Sequence, residues 1–527
     1  MRARLTPVDL DGRGPCGRPS WREACGFVGL AALVRAVVAW RTSVPGRDGA
    51  TYLWMAEQVA ASDVGAAFRT VFHPLYSLAT GALLWLLPPL PSTAAGQIVA
   101  CGTAALAVWP LYLLTTRVYG RTAGRSAALL YSFGLWFARY PAECMSEGCF
   151  YLAVATWASA LLSRDCCEPS SPSSNSTGSP GAGATGGPLG SARSTERTPR
   201  VRPAAAPWRE TGADSRPVLA GVASGLAYAT RPEGLVLLAL SALCLRGRAR
   251  WRAVAAGTLA ALWVPLGFAL YGDGFTLSPK VAFNYEVGIG ADDSAVAHYL
   301  DHAWRVPGTA FETIGYVALP LALAGLWICW RQGALRLAAA APWLVGPVLV
   351  QALVVPLLRN HVRFLSGFGV LLLPLAGLAL ARLVAALDAS LSPRTPAVRR
   401  ACTVALFFAA LAPDLARLGS ERGRDRRVER ALGEWLRSRV TPPQFIVTEM
   451  PRLEFFAGQR PGPPRAIGRE DLLHAAASPD ALFVVVVAPR SHIAAGDLEA
   501  LGLRAVSLPD ELSALAKDRE LLVYRRP

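Results

Sequence analysis

The most regular feature of this chain is a series of apolar runs, each separated from the next by a short polar or Gly- and Pro-containing segment. Most runs approach the length of about twenty residues that lets a helix cross a bilayer. We therefore predict a mainly α-helical, polytopic membrane protein with about eleven transmembrane helices. The expected spans are residues 26–42, 96–116, 123–139, 143–163, 217–230, 233–245, 252–271, 313–330, 337–357, 364–386 and 400–416.

Two regions do not fit a simple crossing. The short runs 217–230 and 233–245 flank Arg231-Pro232, so they are either two spans or one broken, re-entrant pair. The segment Leu75–Leu90 is apolar but closes with two prolines, and a crossing there would place the arginine-rich loops on opposite sides of the membrane. We predict an interfacial or re-entrant helix for this segment, within a large outer loop that spans residues 43–95.

The charge pattern predicts the orientation and argues against a nucleic-acid partner. The chain is 53% hydrophobic and 17% charged, and nearly all of its net charge of +16 comes from arginine. Since positive residues concentrate in cytoplasmic loops, we predict a bacterial inner-membrane protein whose arginine-rich loops and residues 1–25 lie in the cytoplasm. The loop arginines are Arg117, Arg121, Arg125, Arg246, Arg248, Arg250, Arg252, Arg331, Arg336, Arg394, Arg399 and Arg400.

The chain divides into regions by composition. A Ser-, Pro-, Gly- and Arg-rich stretch, residues 165–216, is predicted to be a disordered cytoplasmic linker. It separates an N-terminal membrane region, residues 26–164, from a second one, residues 217–416. Residues 417–527 alternate helical and β-rich patterns, which predicts a small extracytoplasmic α/β domain with a lid, docking or structural role. The ten cysteines form no CxxC pair, so neither a disulfide framework nor a zinc site is expected.

The first outer loop carries the leading candidate for chemistry. Arg47, Asp48 and Tyr52 directly follow the first span, and His73 precedes a proline further along. Asp48 is a candidate base, which Arg47 would keep ionised, although a cap for a helix beginning at Gly49 is an alternative. His73 either contacts substrate or marks the entry to the interfacial helix.

Charged residues also stand where other spans meet the outer side. Glu143 and Glu147 are four residues apart, which predicts one helix face. Glu147 should lie inside the membrane edge, where an unpaired charge is costly; it either pairs internally with Arg139 or faces substrate.

Further candidates come from the later outer loops. Arg231 and Glu233 either pair with each other or leave Arg231 to face an anionic ligand. Lys280, His361 and Arg363 add positive charge at the outer mouth, against the general trend. Arginine suits phosphate through its planar donor fork, so a fixed anion is a plausible partner.

These motifs, taken in order, resemble the GT-C membrane glycosyltransferases, in particular the dolichyl-phosphate-mannose protein mannosyltransferase and aminoarabinose transferase group. The resemblance covers residues 26–400 and rests on these strings: Arg47-Asp48-Gly49-x-x-Tyr52-Leu53, Phe72-His73-Pro74-Leu75, Ser146-Glu147-Gly148, Thr230-Arg231-Pro232-Glu233-Gly234 and Arg363-Phe364. It implies that Asp48 is the general base and that His73 contacts the donor phosphate. Gly49 is a departure, because many protein mannosyltransferases have an acidic residue there; the long linker is another.

The resemblance implies a function as well. It predicts inverting transfer of a sugar (mannose, another hexose or a pentose) from a polyprenyl-phosphate carrier to a hydroxyl on a protein, lipid or glycan, at the outer face of the bilayer. A divalent metal is optional, since no clustered ligand set demands one and a phosphate monoester leaves readily. The alternative is a transporter or flippase of an anionic lipid-linked substrate, which the absence of internal repeats disfavours.

Overall fold

A computed structural model describes residues 19–162, 215–272, 274–277, 279, 295–331, 335–358, 362–392, 394–419, 426–461, 469–517 and 520–527. Most of the chain up to residue 419 is helical, as its apolar runs predict. The helices are α1 (Trp21–Arg41), α2 (Arg47–Ala60), α3 (Leu75–Leu86), α4 (Ser92–Leu106), α5 (Val108–Tyr119), α6 (Arg121–Phe133), α7 (Leu135–Ala142), α8 (Glu147–Leu162), α9 (Arg216–Thr230), α10 (Gly234–Cys244), α11 (Gly247–Tyr271), α12 (Ala295–Ala303), α13 (Val306–Ile314), α14 (Ala318–Arg331), α15 (Leu335–Leu358), α16 (Val362–Gly369), α17 (Leu373–Ser390) and α18 (Pro396–Gly419).

Helix length separates membrane crossings from shorter elements. Among the described residues, five helices are long and apolar enough to cross a bilayer, or up to six if the pair Tyr299–Ile314 and Ala318–Arg331, bent by 103°, forms one span. α4 and α5 together make one such helix, 28 residues long. α3 has 12 residues, about 18 Å, which is too short for the bilayer core. The polytopic, mainly helical class is confirmed, and the count of eleven spans stays a prediction.

Exposed tryptophans lie close to helix ends. Trp21 and Trp40 stand at the two ends of α1 and are 65% and 84% exposed. Trp251 lies in the first turns of α11, and Trp330 is the penultimate residue of α14. Tryptophan is enriched at membrane–water interfaces, so these positions are consistent with a slab whose thickness is close to the length of α1, 21 residues or about 32 Å.

Side-chain contacts define two ends of the helix bundle. Where α1 begins, Glu23 contacts Arg121 and Arg125, which lie in the first turns of α6. Beyond the point where α1 ends, Asp48 contacts Arg363, close to the start of α16. We call these the Glu23 end and the Asp48 end. Which end faces the cytoplasm stays a prediction.

The C-terminal unit, residues 426–527, is built on a sheet. The three β-rich runs of the sequence form β1 (Phe445–Thr448), β2 (Ala481–Val487) and β4 (Leu521–Arg525), and a short strand completes the described order β1-β2-β4-β3. β1 and β2 are parallel, and the other neighbours are antiparallel. The remaining elements are α19 (Arg427–Arg437), α20 (Pro451–Phe456), α21 (Arg469–Ala477), α22 (Ala488–Ser491), α23 (Ala495–Ala500), β3 (Arg504–Ala505) and α24 (Asp510–Lys517).

Strand alternation gives this sheet two apolar faces. Phe483 and Val485 point to one face, where α19 and α20 pack, whereas Val484 and Val486 point to the other, where α21 and α23 pack. Successive strand side chains face opposite sides, so β2 is buried on both. α19 contributes Leu432, which is fully buried, as expected of an amphipathic helix.

Candidate active site

Asp48 lies in the first turn of α2, at the Asp48 end of the bundle. α2 begins at Arg47, with Gly46 at the N-cap position, so Asp48 is inside the helix. The alternative prediction that Asp48 caps a helix beginning at Gly49 is therefore wrong. Its carboxylate Oδ2 instead accepts from Nη1 of Arg363, the second residue of α16 and distant in sequence. Arg47 stands next to it and is half-buried.

The start of α2 is held against the turn between α7 and α8. The Gly46 amide donates to the Glu143 carbonyl at 2.8 Å. A Cβ at position 49 would lie 2.5 Å from that carbonyl oxygen and 3.3 Å from the carbonyl oxygen of Cys144, whose own φ is +59°. Glycine at position 49 thus allows a backbone-to-backbone contact that a larger residue would prevent. This gives a physical reason for the departure noted in the motif.

Two arginines and three acidic residues form a continuous chain of ion pairs, which we call the Asp48 cluster. Arg363 contacts both Asp48 and Glu147, through Nη1 and Nε respectively. Arg231 Nη1 lies 2.5 Å from Glu147 Oε1, and its Nη2 lies 2.7 Å from Glu233 Oε1. Of the two readings of the Arg231–Glu233 motif, the structure therefore shows the internal pair.

Burial raises the free-energy cost of the charges in this cluster. The Glu147 side chain is fully buried, and those of Arg231, Arg363 and Asp48 are 6%, 11% and 16% exposed. Carboxylates outnumber guanidinium groups by one within the cluster. Charges this deeply buried persist when they are paired and hydrogen-bonded, and Glu147 meets that condition by bridging both arginines.

Glu143 and Glu147 do not share a helix face. α7 ends at Ala142 with Glu143 as its C-cap, and α8 begins at Glu147. The prediction of one helix through both residues is wrong, because the turn with Cys144 in the left-handed region breaks it. Glu143 Oε2 lies 3.4 Å from Arg426 Nη1, whereas Glu147 turns into the bundle.

Tyr52 lies one helical turn after Asp48 and lines the same side of α2. Its hydroxyl is 3.1 Å from Ser146 Oγ, one residue before Glu147. Its ring packs on Phe72 and Tyr76, with ring centroids 4.8 and 5.2 Å away. Burial raises the pKa of Tyr52 to about 12, so the phenol is neutral at physiological pH and acts as a hydrogen-bonding group.

His73 occupies an aromatic socket beside the cluster. The imidazole is 1% exposed and packs edge-on against Tyr228 and Phe268, at centroid distances of 5.1 and 6.1 Å. Burial lowers the pKa of His73 to about 4; nearby Glu233 opposes this shift and nearby Arg231 adds to it. At neutral pH the ring is therefore uncharged, and a contact with phosphate would be made by a neutral N–H donor.

ArnT from Cupriavidus metallidurans, in its crystal structure bound to undecaprenyl phosphate, superposes with a TM-score of 0.60 and 13% identity over 96% of this chain and 98% of ArnT. AglB from Archaeoglobus fulgidus, an archaeal oligosaccharyltransferase in complex with an inhibitory peptide and a dolichol-phosphate, gives 0.57 and 14% over 92% of this chain and 72% of AglB. Both are GT-C glycosyltransferases. The chain has the GT-C fold.

The resemblance inferred from motifs is thus confirmed at the level of fold. No protein-family model and no curated protein sequence matches the chain. Within the GT-C fold, Asp48, Glu147, Arg231, Glu233 and Arg363 come together. Tyr52 and His73 flank them, while Lys280 and His361 lie outside the described residues.

Sequence reasoning missed several neighbours of the cluster in the GT-C fold. Ser146, the partner of Tyr52, appeared in a motif without a role. Phe150 places its ring 5.7 Å from the Arg231 guanidinium, a cation–π contact. A helical reading of α8 could have found Phe150, because it lies one turn after Glu147 and therefore on the same side. The partnership of Glu143 with Arg426 has no local signal at all.

Proposed function

We propose that this protein is an inverting glycosyltransferase that moves a sugar from a polyprenyl-phosphate carrier to a hydroxyl acceptor, with Asp48 as the general base. The observation that carries the proposal is the Asp48 carboxylate, partly exposed in the first turn of α2 and ion-paired with Arg363 inside a GT-C fold. The ligands of the two similar structures, undecaprenyl phosphate for ArnT and dolichol-phosphate for AglB, support a polyprenyl-linked donor.

The proposed reaction is a single displacement at the anomeric carbon. The acceptor hydroxyl forms the new C–O bond while its proton passes to the Asp48 carboxylate. The bond between the anomeric carbon and the carrier's phosphate oxygen breaks, and its electron pair stays on the phosphate, which leaves as polyprenyl phosphate. Glycosyl transfers of this kind pass through an oxocarbenium-like state, and a positioned base contributes about 10²- to 10⁴-fold.

The cluster divides the remaining work between its arginines. Arg363 carries the guanidinium next to the base, so it is the group that can donate a charge-assisted hydrogen bond to the leaving phosphate. Arg231 is engaged by Glu147 and by both oxygens of Glu233, so its proposed role is to hold Glu147 in place. His73 would add a neutral donor to the phosphate. No metal is needed in this scheme, because Arg363 supplies positive charge beside the base.

Substitution of Asp48 tests the proposal. With purified full-length protein and radiolabelled polyprenyl-phosphate sugars, Asp48→Asn should lower kcat about 10²- to 10⁴-fold, while the melting temperature stays within a few degrees of wild type. The matched control is Asp63→Asn in the same loop, at a residue whose side chain is 44% exposed and pairs with Arg69; it should keep full activity. Wild-type rates in Asp48→Asn would exclude Asp48 as the base.

The same assay separates the proposal from its rival. A transporter or flippase of a lipid-linked anion would move the carrier across vesicles, form no glycoside, and survive Asp48→Asn. The sugar, proposed to be mannose, another hexose or a pentose, is read from a donor panel. The acceptor class is read by offering protein, lipid and glycan fractions of the cell envelope. We propose that the protein lies in a bacterial inner membrane with its Asp48 end facing away from the cytoplasm. Protease protection of the C-terminal unit would reveal this orientation.

A further inference from the structure

The C-terminal unit lies directly on the helix that carries Asp48. Phe455 and Phe456, at the end of α20, pack in one apolar cluster with Ala50 and Leu53 of α2 and with Val44 just before it. Both phenylalanines are less than 10% exposed. α2 is therefore packed on two sides: Tyr52 and Met55 face the membrane region, and Ala50 and Leu53 pack with the C-terminal unit, where Leu53 also contacts Gly96 of α4.

Polar contacts fasten the same unit to both ends of the loop segment that contains α2. Before the helix, Arg430 Nη1 donates to the Ser43 carbonyl at 3.2 Å. After it, Arg460 Nη2 donates to the Arg69 carbonyl at 2.8 Å, and the Arg460 guanidinium lies 5.3 Å from the Trp54 ring. These contacts involve backbone carbonyls, so they constrain the path of the chain and do not depend on the rotamers of residues 43 and 69.

A third contact reaches the turn that supports the start of α2. Arg426, at the N-cap of α19, lies 3.4 Å from Glu143 Oε2, and the Glu143 carbonyl accepts from the Gly46 amide at 2.8 Å. The N-cap residue of α2 is Gly46, which has no side chain to cap the helix. The Glu143 turn, which Arg426 of the C-terminal unit contacts, therefore helps to hold the first turn of α2 and Asp48 in it.

The surface that α20 presents to α2 is itself held in place by α19. Arg452 forms a paired contact with Glu429, at 2.7 and 2.8 Å, which ties α20 to α19. The two helices approach so closely that a Cβ on Gly433 would lie 2.6 Å from the Phe456 Cβ. α20 is thus tied to α19 by a paired ionic contact and a close approach, and it presents the phenylalanine pair to α2.

We propose that the C-terminal unit is a clamp for the active site, in which Phe455 and Phe456 are positioning residues that hold Asp48 against Arg363, the arginine that Asp48 shares with Glu147. The role in catalysis rests on the proposed glycosyl transfer. The clamping of α2 does not, since it follows from the contacts alone. Because a misplacement of about 1 Å can cost about a hundred-fold in rate, loss of the phenylalanine pair should reduce turnover more than donor binding.

The test is the Phe455→Ala/Phe456→Ala double variant in the full-length chain. Its kcat should fall about 10- to 100-fold, while the KM for the polyprenyl-phosphate sugar changes less than about threefold. Phe455→Leu/Phe456→Leu, which keeps much of the apolar volume, should recover most of the turnover. The matched control is Leu472→Ala, a truncation of a buried residue on the opposite face of the sheet, which should leave kcat near wild type.

An activity-independent measurement separates the two proposals. Hydrogen–deuterium exchange of the full-length chain should show amides of α2 exchanging at least about tenfold faster in the double alanine variant, with α5, α6 and α8 unchanged. Unchanged exchange in α2, or an equal loss of kcat in Leu472→Ala, would overturn the clamp. Faster exchange in a protein whose wild type transfers no sugar would leave the clamp standing and reject the proposed function.

Discussion

The two ends of the bundle carry similar chemistry in different surroundings. At the Glu23 end, Glu23 accepts from Arg121 and Arg125, each at 2.5 Å, and from Tyr112 Oη at 2.6 Å. At the Asp48 end, Glu147 also joins two arginines. Glu23 is 23% exposed, and its arginines are 40% and 46% exposed, whereas Glu147 is fully buried.

The difference in burial distinguishes a structural contact at the Glu23 end from a candidate functional site at the Asp48 end. A partly exposed carboxylate between two exposed arginines gains less, because water and salt screen the attraction. In a buried cluster the low dielectric strengthens each electrostatic interaction. Loss of the carboxylate there leaves buried guanidinium groups without a compensating charge. Glu23 also accepts from a third residue, Tyr112, and both of its arginines are exposed.

The largest expected effect on stability is at Glu147. Glu147→Gln places an amide where Arg231 and Arg363 both need a carboxylate, so unfolding free energy should fall by about 3–5 kcal/mol, measured by denaturation in detergent. Glu233→Gln is the matched control, because Arg231 would keep Glu147. A Glu147 loss no larger than the Glu233 loss would contradict the bridging role.

The next effect concerns the close approach at Gly49. Gly49→Ala would place a Cβ 2.5 Å from the Glu143 carbonyl oxygen, and backbone cannot rotate away. The first turn of α2 should shift, costing about 1–3 kcal/mol of stability and lowering sugar transfer about 10- to 100-fold. Gly102→Ala is the control, since nothing lies within 4 Å of its Cβ; equal activities in the two variants would show that α2 tolerates the shift.

The membership of the Asp48 cluster could be predicted from the sequence, but its pairing could not. Each member stands at a polar break between apolar runs, and such breaks on one side of a membrane fall at the same end of a bundle. The partner of Asp48 is Arg363, which is 315 positions away, so no local periodicity links them. In a chain so rich in arginine, charge alone does not choose between partners.

The local geometry of the chain was harder to predict than the membership of the cluster. The spacing of Glu143 and Glu147 predicts one helix face, yet the left-handed Cys144 between them turns the chain and sends the two carboxylates to different partners. The strands of the C-terminal unit follow from β-rich runs, whereas its contact with α2 depends on Phe455 and Phe456, which read as ordinary core residues. Packing between distant segments carries no signature in a single sequence.

A smaller effect is expected from the pH dependence of His73. The folded ring has a pKa of about 4, mainly because of burial, against about 6.5 in an unfolded chain. Between these values the unfolded state binds the proton more readily, so wild type should lose stability as pH falls through that window. In His73→Gln this part of the loss should vanish, which melting curves from pH 7 to 4.5 would show. Identical slopes would mean that folding leaves the pKa of His73 unchanged.

The smallest effect is expected at the Glu23 end. Glu23→Gln removes a charge that water already screens, so the unfolding free energy should change by at most about 1 kcal/mol, and sugar transfer should stay at the wild-type rate. Ionic strength sharpens the contrast: the Glu23→Gln difference should shrink further in about 1 M salt, where the screening length is about 3 Å. The Glu147→Gln loss should persist there, because solvent ions do not reach a fully buried carboxylate. Equal salt sensitivity at the two ends would mean that burial does not distinguish the two clusters.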